Sequence, residues 1–311
     1  MVPWLGSLTI RYRKEVQVER KVQRILAPTD FSPASESSAR WAAWLAQRFG
    51  ATVTFLHALE AEWWALPEEL VTRAPGAREL RQAAGRWAAE ELDRWGQRFG
   101  GGETVVLEGS PREVILRACH ELKPDLVCMG THGRTGVVRA FFGSVAEHVA
   151  RASPVPVLTV RPGRDPRVQR VLAATDFSPP ALAAVEWART VAAVCGAELV
   201  LLHVVELDPE TFAGVPREIM APAVGERIRD YLVDRATQRL RALAREGERT
   251  EVRLGAAGNT VVRAAEELEV DLVCTGTRGQ TGLAHVLLGS VAECVLRRSP
   301  IPVLTCHAPP R

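Results

Sequence analysis

At 311 residues, 47% of them apolar and 24% charged, the chain has material for two ordinary domains, each with its own core, and falls outside the disordered class. A formal net charge of +2 argues against the clustered basic face of a nucleic-acid binder, and no apolar run reaches the roughly 18 residues a bilayer span needs. Neither nucleic acid nor membrane is therefore expected as a partner.

Residues 1–20 hold a few apolar residues with no basic segment ahead of them and too short an apolar stretch for an export signal. They are expected to be a poorly ordered extension, or translation from an upstream start. From Val22 onward strands and helices alternate. A strand is predicted over 22–27, ending at Pro28-Thr29-Asp30. Ser32 stands where an N-cap belongs and Pro33 at the first position of a helix that runs to Phe49, burying Ala42, Leu45, Ala46 and Phe49 and closing at Gly50. A second strand is predicted over 53–58. A variable stretch rich in Trp, Pro and Glu then leads to a long helix over 78–99. A third strand, 103–108, is followed by Gly109-Ser110-Pro111, which opens a helix ended by Lys123-Pro124. The fourth strand, 126–129, breaks into Gly130-Thr131-His132-Gly133. A short helix from Ser144 to about Arg151 stops at Ser153-Pro154, and 155–160 is the fifth strand. Alternating βα units imply a parallel sheet with helices on both faces.

The whole pattern then repeats 146 residues later. Thr29 to Pro33 matches Thr175 to Pro179, Trp41 matches Trp187, and Gly50 matches Gly196. Leu56-His57 matches Leu202-His203, Gly109 matches Gly255, and Gly130 matches Gly276. No net insertion or deletion separates these landmarks, so the repeat unit is a whole domain. Two copies, 21–161 and 168–307, are expected, with a linker over 161–167 short enough for direct packing of one on the other. The six cysteines form no C-x-x-C, and Cys128 and Cys274 fall inside predicted strands; they read as small apolar fillers in a reducing cytoplasm. Lys14, Lys21 and Lys123 are the only lysines and Asn259 the only asparagine, a usage that fits a hot habitat or a GC-rich genome equally well.

In an open doubly wound sheet, ligands bind beyond the carboxyl ends of the strands where the strand order reverses. If the first and fourth strands are neighbours there, Asp30, the loop that starts at Gly130 and the Gly143-Ser144 helix start share one crevice. Glycines let backbone N–H groups come close to phosphate, and the helix start adds partial positive charge. Asp30 can accept hydrogen bonds from a ribose hydroxyl or an adenine amine. Local roles compete with these. Ser144-x-x-Glu147 and Ser290-x-x-Glu293 are capping-box patterns, Asp30 can satisfy its own turn, and His57 and His203 read as strand-end packing. His132 becomes Arg278 in the second copy, which argues against an obligatory catalytic histidine. G-x-x-x-x-G-K-[ST], G-x-S-x-G and H-E-x-x-H are all missing, and one recurring carboxylate without a partner is little equipment for catalysis.

Two motifs together resemble the universal stress protein family, in a tandem two-domain form of its ATP-binding branch. One is G-x2-G-x9-G-[ST], met by Gly130, Gly133, Gly143 and Ser144 and again by Gly276, Gly279, Gly289 and Ser290; the other is Pro-Thr-Asp-Phe-Ser at 28–32. The resemblance implies a five-stranded parallel sheet in the order 3-2-1-4-5 in each copy. It implies ATP with Mg2+ or Mn2+, the adenosine beside Pro28, Thr29, Asp30 and Ala58. The phosphates would lie on Met129, Gly130, His132, Gly133, Arg134, Gly143, Ser144 and Val145. In the second copy the same roles fall to Ala174, Thr175, Asp176 and Val204, then to Thr275, Gly276, Arg278, Gly279, Gly289, Ser290 and Val291. Family members often pair through the last strand, which implies an internal pseudo-dimer and leaves further homodimerisation open. The second copy departs from the first at Ala174, Arg278, Gln280 (for Arg134) and Gly255-Ala256-Ala257. The function expected is stress-response nucleotide binding with at most weak ATPase activity and no assigned catalytic residue. A nucleotide-free scaffold presenting 60–76 and 206–225, or an adenylate-handling enzyme, are the alternatives.

Overall fold

The computed structural model describes residues 21–60, 77–131, 142–206, 222–277 and 288–308. The N-terminal extension and most of the two variable stretches lie outside the described residues. The first copy runs β1 (Arg24–Thr29), α1 (Pro33–Phe49), β2 (Thr52–Leu59), α2 (Ala77–Arg98), β3 (Glu103–Glu108), α3 (Pro111–Leu122), β4 (Leu126–Gly130), α4 (Ser144–Ala152) and β5 (Val157–Val160). The second runs β6 (Arg170–Ala174), α5 (Pro179–Cys195), β7 (Glu198–Val205), α6 (Pro222–Leu243), β8 (Arg249–Leu254), α7 (Ala257–Glu267), β9 (Leu272–Gly276), α8 (Ser290–Arg298) and β10 (Val303–Cys306).

Local chemistry sets most boundaries. Ser32 caps α1 by accepting the Ser35 N–H, with Pro33 behind it, and Gly50 ends the helix at φ 66°, the left-handed backbone a glycine adopts without strain. Two predicted strand starts move by two residues. β1 starts at Arg24, not Val22, because the Asp125 carboxylate takes the N–H groups of Gln23 (2.7 Å) and Arg24 (2.9 Å). β5 starts at Val157, not Val155, because Ser153 Oγ accepts the Val155 N–H and donates to the Val155 carbonyl, folding that stretch into a turn.

Each copy has the sheet order 3-2-1-4-5, and the two sheets join into one of ten strands: β3-β2-β1-β4-β5-β10-β9-β6-β7-β8. Every pairing is parallel except the central one, β5 against β10, where Leu158 faces Leu304 in antiparallel register. The last strands are therefore paired with each other, as an internal pseudo-dimer. The outer edges, β3 and β8, carry Glu103, Glu108, Arg249, Glu251 and Arg253, charges that oppose edge-to-edge aggregation.

The expectation of one core per copy is corrected. Burial forms two clusters, one on each face of the sheet, and each runs through both copies. A continuous ten-stranded sheet makes this unavoidable, since helices on one face share a floor. Trp41 and Trp187 lie at the middle of one face beside Leu158 and Leu304. Among the described residues no cysteine pair is bridged, and burial pushes the Cys128 and Cys274 thiols up, as apolar fillers require. No described helix is long and apolar enough to cross a membrane.

The junction is tied reciprocally. Thr159 Oγ1 donates to the Val303 carbonyl and Thr305 Oγ1 to that of Val157. Arg161, from the first copy, donates to the carbonyls of Ser299 (2.7 Å) and Arg297 (2.6 Å) at the end of α8. His307, its counterpart 146 residues on, donates Nε2 to the Arg151 carbonyl of α4 at 3.1 Å. A cation on the last carbonyls of a helix satisfies both their hydrogen bonding and the helix dipole. Arg161→Ala is expected to cost about 1.5–3 kcal/mol, read as a lower urea midpoint, with Arg161→Lys recovering part. An unchanged midpoint would show that the strands alone hold the junction.

Candidate functional site

The site begins in the turn from β1 to α1. Thr29 Oγ1 accepts the Phe31 N–H at 2.9 Å, and Asp30 Oδ1 accepts the Ser32 N–H at 3.1 Å and the Ser35 hydroxyl. Phe31 is thereby held at φ 63°, a left-handed conformation that costs a non-glycine residue about 1–2 kcal/mol. Its ring stacks on His57 with centroids 4.6 Å apart. His57 in turn donates Nδ1 to the Thr29 carbonyl at 2.8 Å. So His57 is a packing and tethering group at the strand end, as read, and Asp30 does serve its own turn. Burial pushes the Asp30 carboxyl up, but the hydrogen bonds from Ser32 and Ser35 outweigh it and leave its pKa below the usual carboxylate value.

The second copy repeats this turn. Asp176 Oδ1 accepts the Ser178 N–H at 2.9 Å, Phe177 sits at φ 64°, and His203 donates Nδ1 to the Thr175 carbonyl at 2.7 Å. Burial, the largest effect on His203, lowers its pKa.

Beside β1, β4 ends at Gly130, which has a packing role in addition to its place in the cleft lining. A Cβ at Gly130 would stand 2.7 Å from the Ala34 backbone carbon and 2.8 Å from its oxygen; at Gly276 it would stand 2.6 Å from the Ala181 nitrogen. These glycines let the start of α1 or α5 lie directly on the strand end. Thr131 follows, donating its N–H to Val160 and accepting that of Gly143 at 2.7 Å, so both ends of the intervening loop are clamped together. Thr277 and Gly289 repeat the clamp at 2.8 Å.

The clamp overturns the capping-box reading. Gly143 itself is the N-cap, with extended backbone and no side-chain cap hydrogen bond, and Ser144 is already the first helical residue. The Glu147 N–H bonds the Gly143 carbonyl, placing Glu147 one position too late to complete the box. Gly289, Ser290 and Glu293 are arranged identically. The glutamates instead meet Arg297, from α4 at 3.1 Å and from α8 at 3.0 Å. In α4 the N–H groups of Ser144, Val145 and Ala146 have no intrahelical acceptor and carry the positive end of the dipole.

Pro28, Thr29, Asp30, Ala58, Met129, Gly130, Gly143, Ser144 and Val145 come together around one cleft of about 400 Å³. That volume is in the range of small-molecule sites. His132, Gly133 and Arg134 lie outside the described residues, as do Arg278, Gly279 and Gln280. In the second copy Ala174 ends β6 with Thr175 and Asp176 just beyond it, Val204 is near the end of β7, and Thr275 and Gly276 close β9. Gly289, Ser290 and Val291 begin α8, at the same end of the sheet.

Sequence reasoning missed Ser35, Glu60, Trp87 and Ile115, which also line the first cleft. The Ser35 hydroxyl one turn beyond Asp30 was a usable local signal; Trp87, on a distant helix, had none. The two copies differ at the start of the helix after the third strand. Glu206 accepts the Ala257 N–H at the start of α7, whereas Pro111, in the place of Ala257, has no N–H to offer, and the counterpart Glu60 lines the cleft. Among the described residues no group of three or more His, Cys, Asp or Glu side chains is placed to hold a metal ion.

Comparison with known proteins agrees with this architecture. The model of the universal stress protein family matches twice, over residues 21–161 and 167–307. A universal stress protein of Methanocaldococcus jannaschii is 32% identical over 152 residues, covering 46% of this chain and 84% of the relative. One of Mycobacterium tuberculosis is 25% identical over 307 residues, covering 93% of this chain and 98% of its own length. The crystal structure of a universal stress protein from Archaeoglobus fulgidus shares the fold, with a TM-score of 0.62 at 24% identity, over 92% of this chain and 96% of that one.

Proposed function

The chain belongs to the universal stress protein family, and we propose that this member binds ATP in the first-copy cleft, and at the corresponding positions of the second, with little or no hydrolysis. The observation that carries the reading is the polarity of the cleft. Three N–H groups of the first turn of α4 open onto one end, and the Asp30 carboxylate stands on the neighbouring strand end. The N–H groups suit phosphate, and the carboxylate suits ribose hydroxyls or an adenine amine. The described residues offer no cluster for a divalent ion of their own. Mg2+ or Mn2+ would accordingly enter with the nucleotide, held mainly by phosphate oxygens and water. Hydrolysis is expected to be slow because Asp30 is a weak base, its Oδ1 already accepting from Ser32 and Ser35.

Asp30→Asn is the informative substitution, since an asparagine oxygen still accepts the Ser32 N–H and keeps the turn. With ATP and Mg2+, calorimetry is expected to show binding by the wild type and roughly tenfold weaker binding by Asp30→Asn, the cost of about one charge-assisted hydrogen bond. No heat at millimolar ATP for the wild type would refute the reading. Phosphate release above the buffer rate, lost in Asp30→Asn while binding persists, would make the protein an ATPase instead.

A further inference from the structure

Trp87 stands apart from the other tryptophans of the sheet-covering helices. Trp41, Trp95 and Trp187 are buried and Trp44 is half-buried, whereas Trp87 is 50% exposed, on a helix that also exposes Leu80 among arginine, glutamate, glutamine and alanine side chains. It lines the first cleft together with Asp30 and Glu60. Its ring meets Phe31 at 6.0 Å between centroids and 79° between planes. Phe31 cannot turn aside, because its backbone is held at φ 63° and its ring lies on His57.

Among the described residues the second copy has no counterpart of the Trp87 wall. Buried Ala88 and Leu92 of α2 correspond in burial to Ala236 and Leu240 of α6, 148 residues on rather than 146, so the long helix has slipped two residues against the landmarks. That slip puts Arg235 at the place of Trp87. The Phe177 ring, matching Phe31, is covered by the Arg239 guanidinium at 4.1 Å. Glu206 is likewise spent on the start of α7.

We propose that Trp87 stacks on the base of a nucleotide in the first cleft, making the two copies unequal sites, the first selecting a nucleoside base and the second carrying Arg235 where the first has Trp87. The inference rests on the nucleotide reading of that cleft. An aromatic face at one end, two carboxylates beside it and helix N–H groups at the other end match the base, ribose and phosphate of a purine nucleotide in order.

The test uses the full chain, with ATP and inorganic tripolyphosphate as ligands. In Trp87→Ala, whose new side chain suits a helix surface, first-site ATP affinity is expected to fall about 5- to 150-fold, the range of stacking on one base. Tripolyphosphate affinity should stay unchanged, and Trp87→Phe should restore most of the loss. ATP should quench wild-type tryptophan emission and leave that of Trp87→Ala unaltered. If the wild type binds ATP and Trp87→Ala binds it equally well, the stacking role is overturned while the ATP reading stands. If Trp87→Ala weakens both ligands alike, the role is structural and the proposal fails. If the wild type binds no ATP, the nucleotide reading fails first and takes this one with it.

Discussion

Gly130→Ala is expected to destabilise the first copy by about 3 kcal/mol or more, at the upper end of overpacking costs. The added Cβ would lie under 3 Å from three atoms of Ala34, two of them backbone, and backbone cannot swing aside as a flexible side chain does. Gly276→Ala should behave alike against Pro180 and Ala181. Thermal unfolding followed by circular dichroism reads the effect directly. A glycine in a phosphate-binding motif invites substitution as a binding knockout, yet here lost binding would follow from a displaced α1. Gly130→Ala with a wild-type midpoint and no ATP binding would reverse this assignment and return the glycine to the ligand.

Glu248→Gln is expected to cost about 3–5 kcal/mol near neutral pH, the usual penalty for leaving one member of a buried ion pair alone. Glu248 receives Nε of Arg189 at 2.6 Å and Nη2 at 2.7 Å, a bidentate pair, while Arg189 also donates to Leu243 and Glu186. The two side chains are 9% and 10% exposed, so solvent screens the pair weakly. Burial pushes the Glu248 carboxyl up, but the hydrogen bonds from Arg189 and the Arg245 N–H more than offset it, and its folded pKa lies below the ordinary 4.5. A depressed folded pKa stabilises fully above the unfolded value and loses that contribution as pH falls through the folded one. The gap between wild type and Glu248→Gln should therefore be largest above pH 4.5 and narrow below it. Urea unfolding at several pH values checks this; a gap that widened on acidification would contradict the pairing.

The turn after β1 shows why part of the site was readable from sequence. Ser32 and Pro33 act on residues within one helical turn, and Asp30 reaches only to Ser32 and Ser35. Such short-range chemistry is written in consecutive letters. The capping box failed for a related reason. The pattern Ser144 to Glu147 is locally correct, but the clamp from Thr131 to Gly143 starts the helix one residue earlier than the box requires.

By itself the sequence determined the duplication, the alternation of strand and helix, and the residues that end β1 and β4 in each copy. Those features depend on repeats and local patterns, which survive without knowledge of neighbours. Tertiary structure decided the rest. That the two copies share cores rather than own them follows from β5 pairing with β10, a contact between residues about 145 positions apart. That Gly130 serves helix packing follows from Ala34, and that Trp87 stands over the cleft follows from Phe31. Each is a long-range contact in which steric contact, not residue type, assigns the role.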